Sequence, residues 1–169
     1  MTEDQTNGAN GGRPQTVADL LERIARERGA LEQAVAGMSD DALVANSGGW
    51  SAKDQLAHVA AWERRLIGEL QGDRAAEHFG LDEADSTASA DILNAMMYAR
   101  HKDDPPTAVR AEFRESSEAL RAVLAELSDA DLMRPVRPED PAVDTLVELI
   151  SLDTYAHYPE HVAAISGRG

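Results

Sequence analysis

The chain has 169 residues, 43% hydrophobic and 28% charged, the length and make-up of one ordinary globular domain. Lys and Arg number 16 against 31 Asp and Glu, a formal charge of −15; a surface this acidic repels phosphate backbones and anionic lipid, so neither nucleic acid nor membrane is expected as a partner. The absence of cysteine excludes disulfide staples, thiolate nucleophiles and Cys-containing metal sites, so any metal must sit on His, Asp or Glu.

Residues 1–14 end in Gly-Gly-Arg-Pro, offer no hydrophobic face and carry no apolar stretch of the secretory kind, which predicts a disordered N-terminal tail, a cytoplasmic protein and a folded domain over 15–166. From Thr16 onward Val17, Leu20, Leu21, Ile24, Leu31 and Val35 recur at helical spacing and predict a first helix ending near Gly37. Ser39 to Val44 reads as a short capped turn of helix, and Asn46-Ser47-Gly48-Gly49 as a loop. Ser51-Ala52-Lys53-Asp54 is a Ser-x-x-Asp variant of the capping box. It opens a second helix with an apolar stripe of Leu56, Val59, Ala60, Leu66, Ile67 and Leu70, and Gly72 is its stop. Asp73 to Ala88 is a polar, acidic, long connection.

Ser89 to His101 reads as a further helical segment through Ile92, Leu93, Met96 and Met97, with the two methionines as core filler, closed by Asp103-Asp104-Pro105-Pro106. A long helix follows from about Pro106 through Val109, Phe113, Leu120, Val123, Leu124 and Leu127. Ser128 to Leu132 resembles Ser39 to Leu43, a weak pseudo-repeat. Pro135, Pro138 and Pro141 stiffen the stretch 134–141, after which Leu146, Val147, Ile150, Thr154 and Ile165 mark a last helix, kinked by Pro159. No segment reads as a strand. The expected architecture is an all-α four-helix bundle with two long connections.

At 100 degrees per residue, His157 and His161 share the arc of Leu146, Ile150 and Ile165 that must face the core. Inward histidines are either hydrogen-bonded core residues or, at four-residue spacing, a metal-gripping pair. Asp153, one turn earlier, is either a fourth ligand or an acceptor fixing the tautomer of His157. His58 flanks the stripe of the second helix beside Trp62, either an interior third ligand or a boundary residue. His78 and His101 read as surface histidines. Trp62 and Tyr158 either pack or line a pocket; Glu63 pairs with an Arg on a solvated face or serves as a general base.

The run Gly49-Trp50-Ser51-Ala52-Lys53-Asp54 leading to His58, the segment Leu93-Asn94-Ala95 with Tyr98-Ala99-Arg100, and His157-Tyr158-Pro159-Glu160-His161 together resemble the ClbS/DfsB-like branch of the DinB superfamily, over Thr16 to Ile165. The resemblance implies a DinB-type bundle, commonly a homodimer, with a divalent metal on His58, His157 and His161, and it places Asn94 near the pocket. Relatives include thiol transferases that use bacillithiol or mycothiol, a maleylpyruvate isomerase and a self-resistance protein that opens the cyclopropane of a genotoxin. Such an ion lowers the pKa of bound water from about 15.7 toward about 7, or activates a low-molecular-weight thiol. Ligand type does not choose among Zn, Ni, Fe and Mn. Two functions follow: a metal-dependent hydrolase or thiol S-transferase acting on a small electrophile or toxin in stress or self-resistance, or a non-catalytic bundle that sequesters a small molecule, with a structural metal or none.

Overall fold

The computed structural model describes residues 12–46, 48–72, 89–136 and 143–167. Among them are eight helices and no strand, only an isolated antiparallel bridge between Pro135 and Thr145. The segment 73–88, with His78, the residues 137–142, with Pro138 and Pro141, and residues 1–11 of the expected tail lie outside this description. Of the rest of that tail, Pro14 is buried, Arg13 pairs with Glu148, and Arg23 donates to the carbonyl of Gly12 at 2.6 Å.

Helix α1 (Val17–Val35) is capped by Thr16, whose hydroxyl accepts from the Asp19 N–H at 3.1 Å. It buries Leu20, Ile24, Leu31 and Val35, with Arg28 in the middle of that stripe. The short α2 (Asp40–Val44) is capped by Ser39 and drives Leu43 into the core. At the next turn the Asn46 carboxamide accepts from the N–H groups of Gly48 and Gly49 at 2.7 and 2.8 Å, and Gly48 takes a φ of 115° that a side chain would resist.

Helix α3 (Ala52–Gln71) begins at the expected capping box, in which Ser51 and Asp54 satisfy each other's N–H groups, and stops at left-handed Gly72. It is the central element. The long helix from Pro106 lies along it, the helix from Ala90 and the last helix flank it, and most of its residues are buried, so its polar side chains need internal partners. Helix α4 (Ala90–His101) departs from its expected packing. Of the four residues expected to pack, Ile92, Leu93, Met96 and Met97, only Met97 is buried, while Ile92 and Met96 are exposed, because α4 touches the bundle along a narrow edge and leaves a cleft of about 480 Å³ floored by Ala57 and Ala61. Its C-terminal end is held by the buried Lys53 ammonium, which donates to the carbonyls of His101 and Lys102 at 3.1 and 2.7 Å.

Helix α5 (Pro106–Ala125) starts with Pro at its first position and buries Val109, Phe113, Ser116, Leu120 and Leu124. The short α6 (Asp129–Leu132) repeats the form of α2: Ser128 caps it and Leu132 is fully buried. Here the weak pseudo-repeat corresponds to two similar capped turns.

The last helix is two helices, α7 (Leu146–Leu152) and α8 (Tyr158–Ser166), separated by turns at 153–157. A kink at Pro159 was expected; the break falls one turn earlier. In a continuous helix the Pro159 ring would strike the carbonyl of Tyr155 and leave it unpaired. Restarting the helix at His157 instead puts Pro159 in its first turn, where a missing N–H is no loss. The bundle is thus α1, α3, α5 and the α7–α8 pair, with α4 on its flank. No helix among the described residues is long and apolar enough to cross a membrane.

Candidate functional site

His58 comes from the middle of α3, while His157 is the N-cap of α8 and His161 lies one turn inside it. Their Nε2 atoms converge: His157 is 3.2 Å from His58 and 2.8 Å from His161, and one ring nitrogen from each residue lies within 4.8 Å of the others. Because four-residue spacing survives from the N-cap into the first turn, the break before α8 does not spoil the pairing. His58 and His161 are buried and His157 is half-buried, so His58 is an interior residue and not a boundary one.

Protonation of the cluster is set by its surroundings. Burial pushes His58 and His161 from 6.5 down to about 3, and His157 to about 4, so all three rings are neutral at pH 7. The Gln55 amide oxygen, which only accepts, lies 2.5 Å from Nδ1 of His161. That proton therefore sits on Nδ1, and Nε2 of His161 presents a lone pair toward the other two rings. Among the described residues the buried Nδ1 atoms of His58 and His157 have no hydrogen-bond partner. Three imidazole nitrogens about 2.0–2.1 Å from one ion stand roughly 3.0–3.4 Å apart. The observed separations are close to that, and the residues are those that could hold a divalent metal.

Asp153 takes neither expected position. Its carboxylate receives Arg65 Nη1 at 2.9 Å, while Nδ1 of His157 stays unpartnered, because the turns after Asp153 cancel the helical phase that would have stacked the two residues. Arg65 also pairs with Glu69 at 3.1 Å. Trp62 lies T-shaped to His58 and His157, and its indole N–H donates to the Asn94 carboxamide oxygen at 3.1 Å. A cavity of about 490 Å³ opens beside the histidines, with His58, His157 and Trp62 on one side and Leu93, Asn94 and Leu152 among the residues on the other. Trp50 closes the flank of His58, its ring 4.9 Å away, and stacks on Tyr98.

Tyr158 does not line this cavity. It is fully buried and donates its hydroxyl to Glu63 at 2.8 Å. Nor does Glu63 lie on a solvated face: it is 0% exposed and also receives Arg28 Nε at 3.0 Å and Ser116 Oγ at 2.5 Å. Burial pushes the Glu63 carboxyl up, and Arg28, Ser116 and Tyr158 pull against it. Burial and the neighbouring Glu63 hold the Tyr158 phenol well above its ordinary value, so it stays a donor. This network ties α1, α3, α5 and α8 together behind the histidines. Sequence reasoning missed Gln55, Arg28 and Ser116. Their signals were a Gln one turn before His58 and a polar residue interrupting each of two apolar stripes. His101 lies apart from the cluster, 2.8 Å from Asp104.

An all-helical bundle that gathers three neutral imidazoles from two facing elements beside a cavity defines the class of protein. The family model described as DinB superfamily matches residues 23–163, and the chain belongs to that superfamily. No curated protein matches it significantly. Among solved structures it is similar to the colibactin self-resistance protein ClbS in complex with a dsDNA, with a TM-score of 0.73, 15% identity and coverage of 91% of this chain and 95% of that one. It is likewise similar to DfsB, a sibling lethal factor precursor, at 0.72, 17%, 90% and 94%. An uncharacterised protein from Escherichia coli UTI89 follows at 0.68, 17%, 92% and 93%. These likenesses show the fold. The ClbS complex also overturns the exclusion of nucleic acid drawn from net charge. A total of −15 is a sum over the whole surface, whereas phosphate contacts are local, so an acidic total does not decide the partner for this fold.

Proposed function

We propose that the chain is a metal-dependent DinB-type protein in which His58, His157 and His161 hold one divalent ion, and that it acts on a small electrophile or toxin in stress or self-resistance. The observation that carries this reading is the convergence of three Nε2 atoms, one with its lone pair committed inward by the Gln55–His161 hydrogen bond. The self-resistance role of ClbS supports the biological setting. A divalent ion at this site supplies Lewis acidity, which makes water or a thiol a better nucleophile at neutral pH. Around it Gln55 holds the proton on His161 Nδ1, Trp62 packs against His58 and His157, and the cavity admits a small molecule. Without a cysteine, thiol chemistry would take its sulfur from a bound low-molecular-weight thiol.

A closed site with Asp153 as fourth ligand would favour the sequestering alternative. The engagement of Asp153 by Arg65, together with the adjoining cavity, favours an open one. The test is metal analysis of protein purified without a His tag. A single tightly bound ion per chain, lost in His58→Ala and His161→Ala, is expected; a native protein that takes up no divalent ion, or variants that bind it equally well, would overturn the reading.

A further inference from the structure

What the cavity recognises can be read from the pairing of Trp62 with Asn94. An indole N–H only donates. Its 3.1 Å contact with Asn94 therefore goes to the carboxamide oxygen, since the opposite orientation would set N–H against N–H. The oxygen is thereby occupied and the NH2 edge is fixed away from the indole. Among the described residues nothing accepts a hydrogen bond from that NH2 group, although both side chains line the cavity. The rest of the wall sharpens the point. Leu93, Leu149 and Leu152 are apolar, and the two charged residues there, Arg65 and Asp153, form an ion pair with each other. Apart from an ion on the histidines, the wall among the described residues offers an oriented neutral donor, and its charged side chains are already engaged with each other.

We infer that Asn94 is a substrate-positioning donor, and that the cavity takes an uncharged ligand with an apolar body and a carbonyl acceptor, such as a ketone, ester or amide. The carbonyl oxygen receives the Asn94 NH2, the apolar body lies along Leu93, Leu149 and Leu152, and the functional group to be attacked faces the histidines. Only the last of these placements rests on the proposed metal chemistry. Trp62 acts through Asn94 by holding the amide in one orientation.

The probes are acetophenone, its carbonyl-free analogue ethylbenzene, and benzoate, titrated into nitrogen-15-labelled protein with the Asn94 side-chain NH2 signals assigned by their loss in Asn94→Asp. Acetophenone shifts those signals and ethylbenzene leaves them in place. Asn94→Asp and Asn94→Leu bind acetophenone about tenfold more weakly, the size of one neutral hydrogen bond, and Trp62→Phe, which frees the amide to turn over, weakens binding less. Zinc titration of both Asn94 variants matches the native protein. Silent Asn94 signals, equal binding of ethylbenzene, preference for benzoate, or undiminished acetophenone affinity in the Asn94 variants overturns the inference. Zinc titrated into the same samples separates the two readings. Native protein that refuses zinc while Asn94 still responds sinks only the metal site, whereas bound zinc with a silent Asn94 sinks only the positioning role.

Discussion

Replacing Gln55 by Leu removes one atom's worth of chemistry from the histidine cluster. Gln55 is 8% exposed and its Oε1 lies 2.5 Å from Nδ1 of His161, so Leu fills the same space without an acceptor. Two effects follow. The buried Nδ1–H loses its partner, which costs about 1–3 kcal/mol of folding stability. More selectively, nothing then holds the proton on Nδ1, and loss of such an acceptor weakens metal binding about 10- to 100-fold, or roughly 1.4–2.8 kcal/mol. Gln55→Glu keeps an acceptor and should bind at least as tightly as the native protein. The assay is zinc competition against a chromophoric chelator at neutral pH, with urea unfolding of the metal-free proteins measured in parallel. If Gln55→Leu binds zinc as tightly as the native protein, the tautomer argument for His161 is wrong.

Three further outcomes are expected. The folded rings of His58, His157 and His161 bind protons more weakly than the unfolded ones, so below pH 6.5 the unfolded chain takes up protons first; metal-free stability is complete above that pH and falls toward the folded values of about 3 to 4. Each histidine can contribute up to about 1.4 kcal/mol per pH unit, and a urea midpoint that stays flat as pH falls through that range would contradict the burial of the cluster. Glu63→Ala removes the buried partner of the 3% exposed Arg28, leaving it the Phe113 carbonyl and a 3.7 Å contact with the exposed Glu32, and should cost up to about 3–5 kcal/mol, against about 1.5–3 kcal/mol for Tyr158→Phe, which keeps the ion pair; urea denaturation ranks them, and the reverse order would refute the network. Lys53→Met removes the donor to the carbonyls of His101 and Lys102, so amide exchange should accelerate at the end of α4 and not in α1.

Local chemistry was the legible part of the sequence. The Ser51 and Asp54 pair, the stop at Gly72 and the proline start of α5 each depend on a few adjacent residues, and each stands as expected. The histidines were legible for a related reason: four-residue spacing needs only one turn, and the motif around His58 supplied the third ring. Glu63 was misplaced because its partners Arg28, Ser116 and Tyr158 come from three other helices, and no spacing rule reports a contact across the core. Asp153 was misplaced because helical phase was carried through a segment that turns. Pro159 gave the right warning at the wrong address, since one residue can either bend a helix or begin one.

The cavity is built from two kinds of material. Its histidine side is lined by His58 of α3 and by His157, which opens α8; His58, and His161 beside them, are packed among core residues, so a change there disturbs folding as well as chemistry. Its opposite side includes Leu93 and Asn94 on α4, which are half-buried, and Leu152 on α7, which is 53% exposed. Substitutions at those three positions alter the shape offered to a ligand at little cost in core packing. A lineage with this bundle can therefore change its substrate by drifting at one wall while the reactive wall stays fixed. The same division tells a protein engineer where to randomise and where to leave the chain alone.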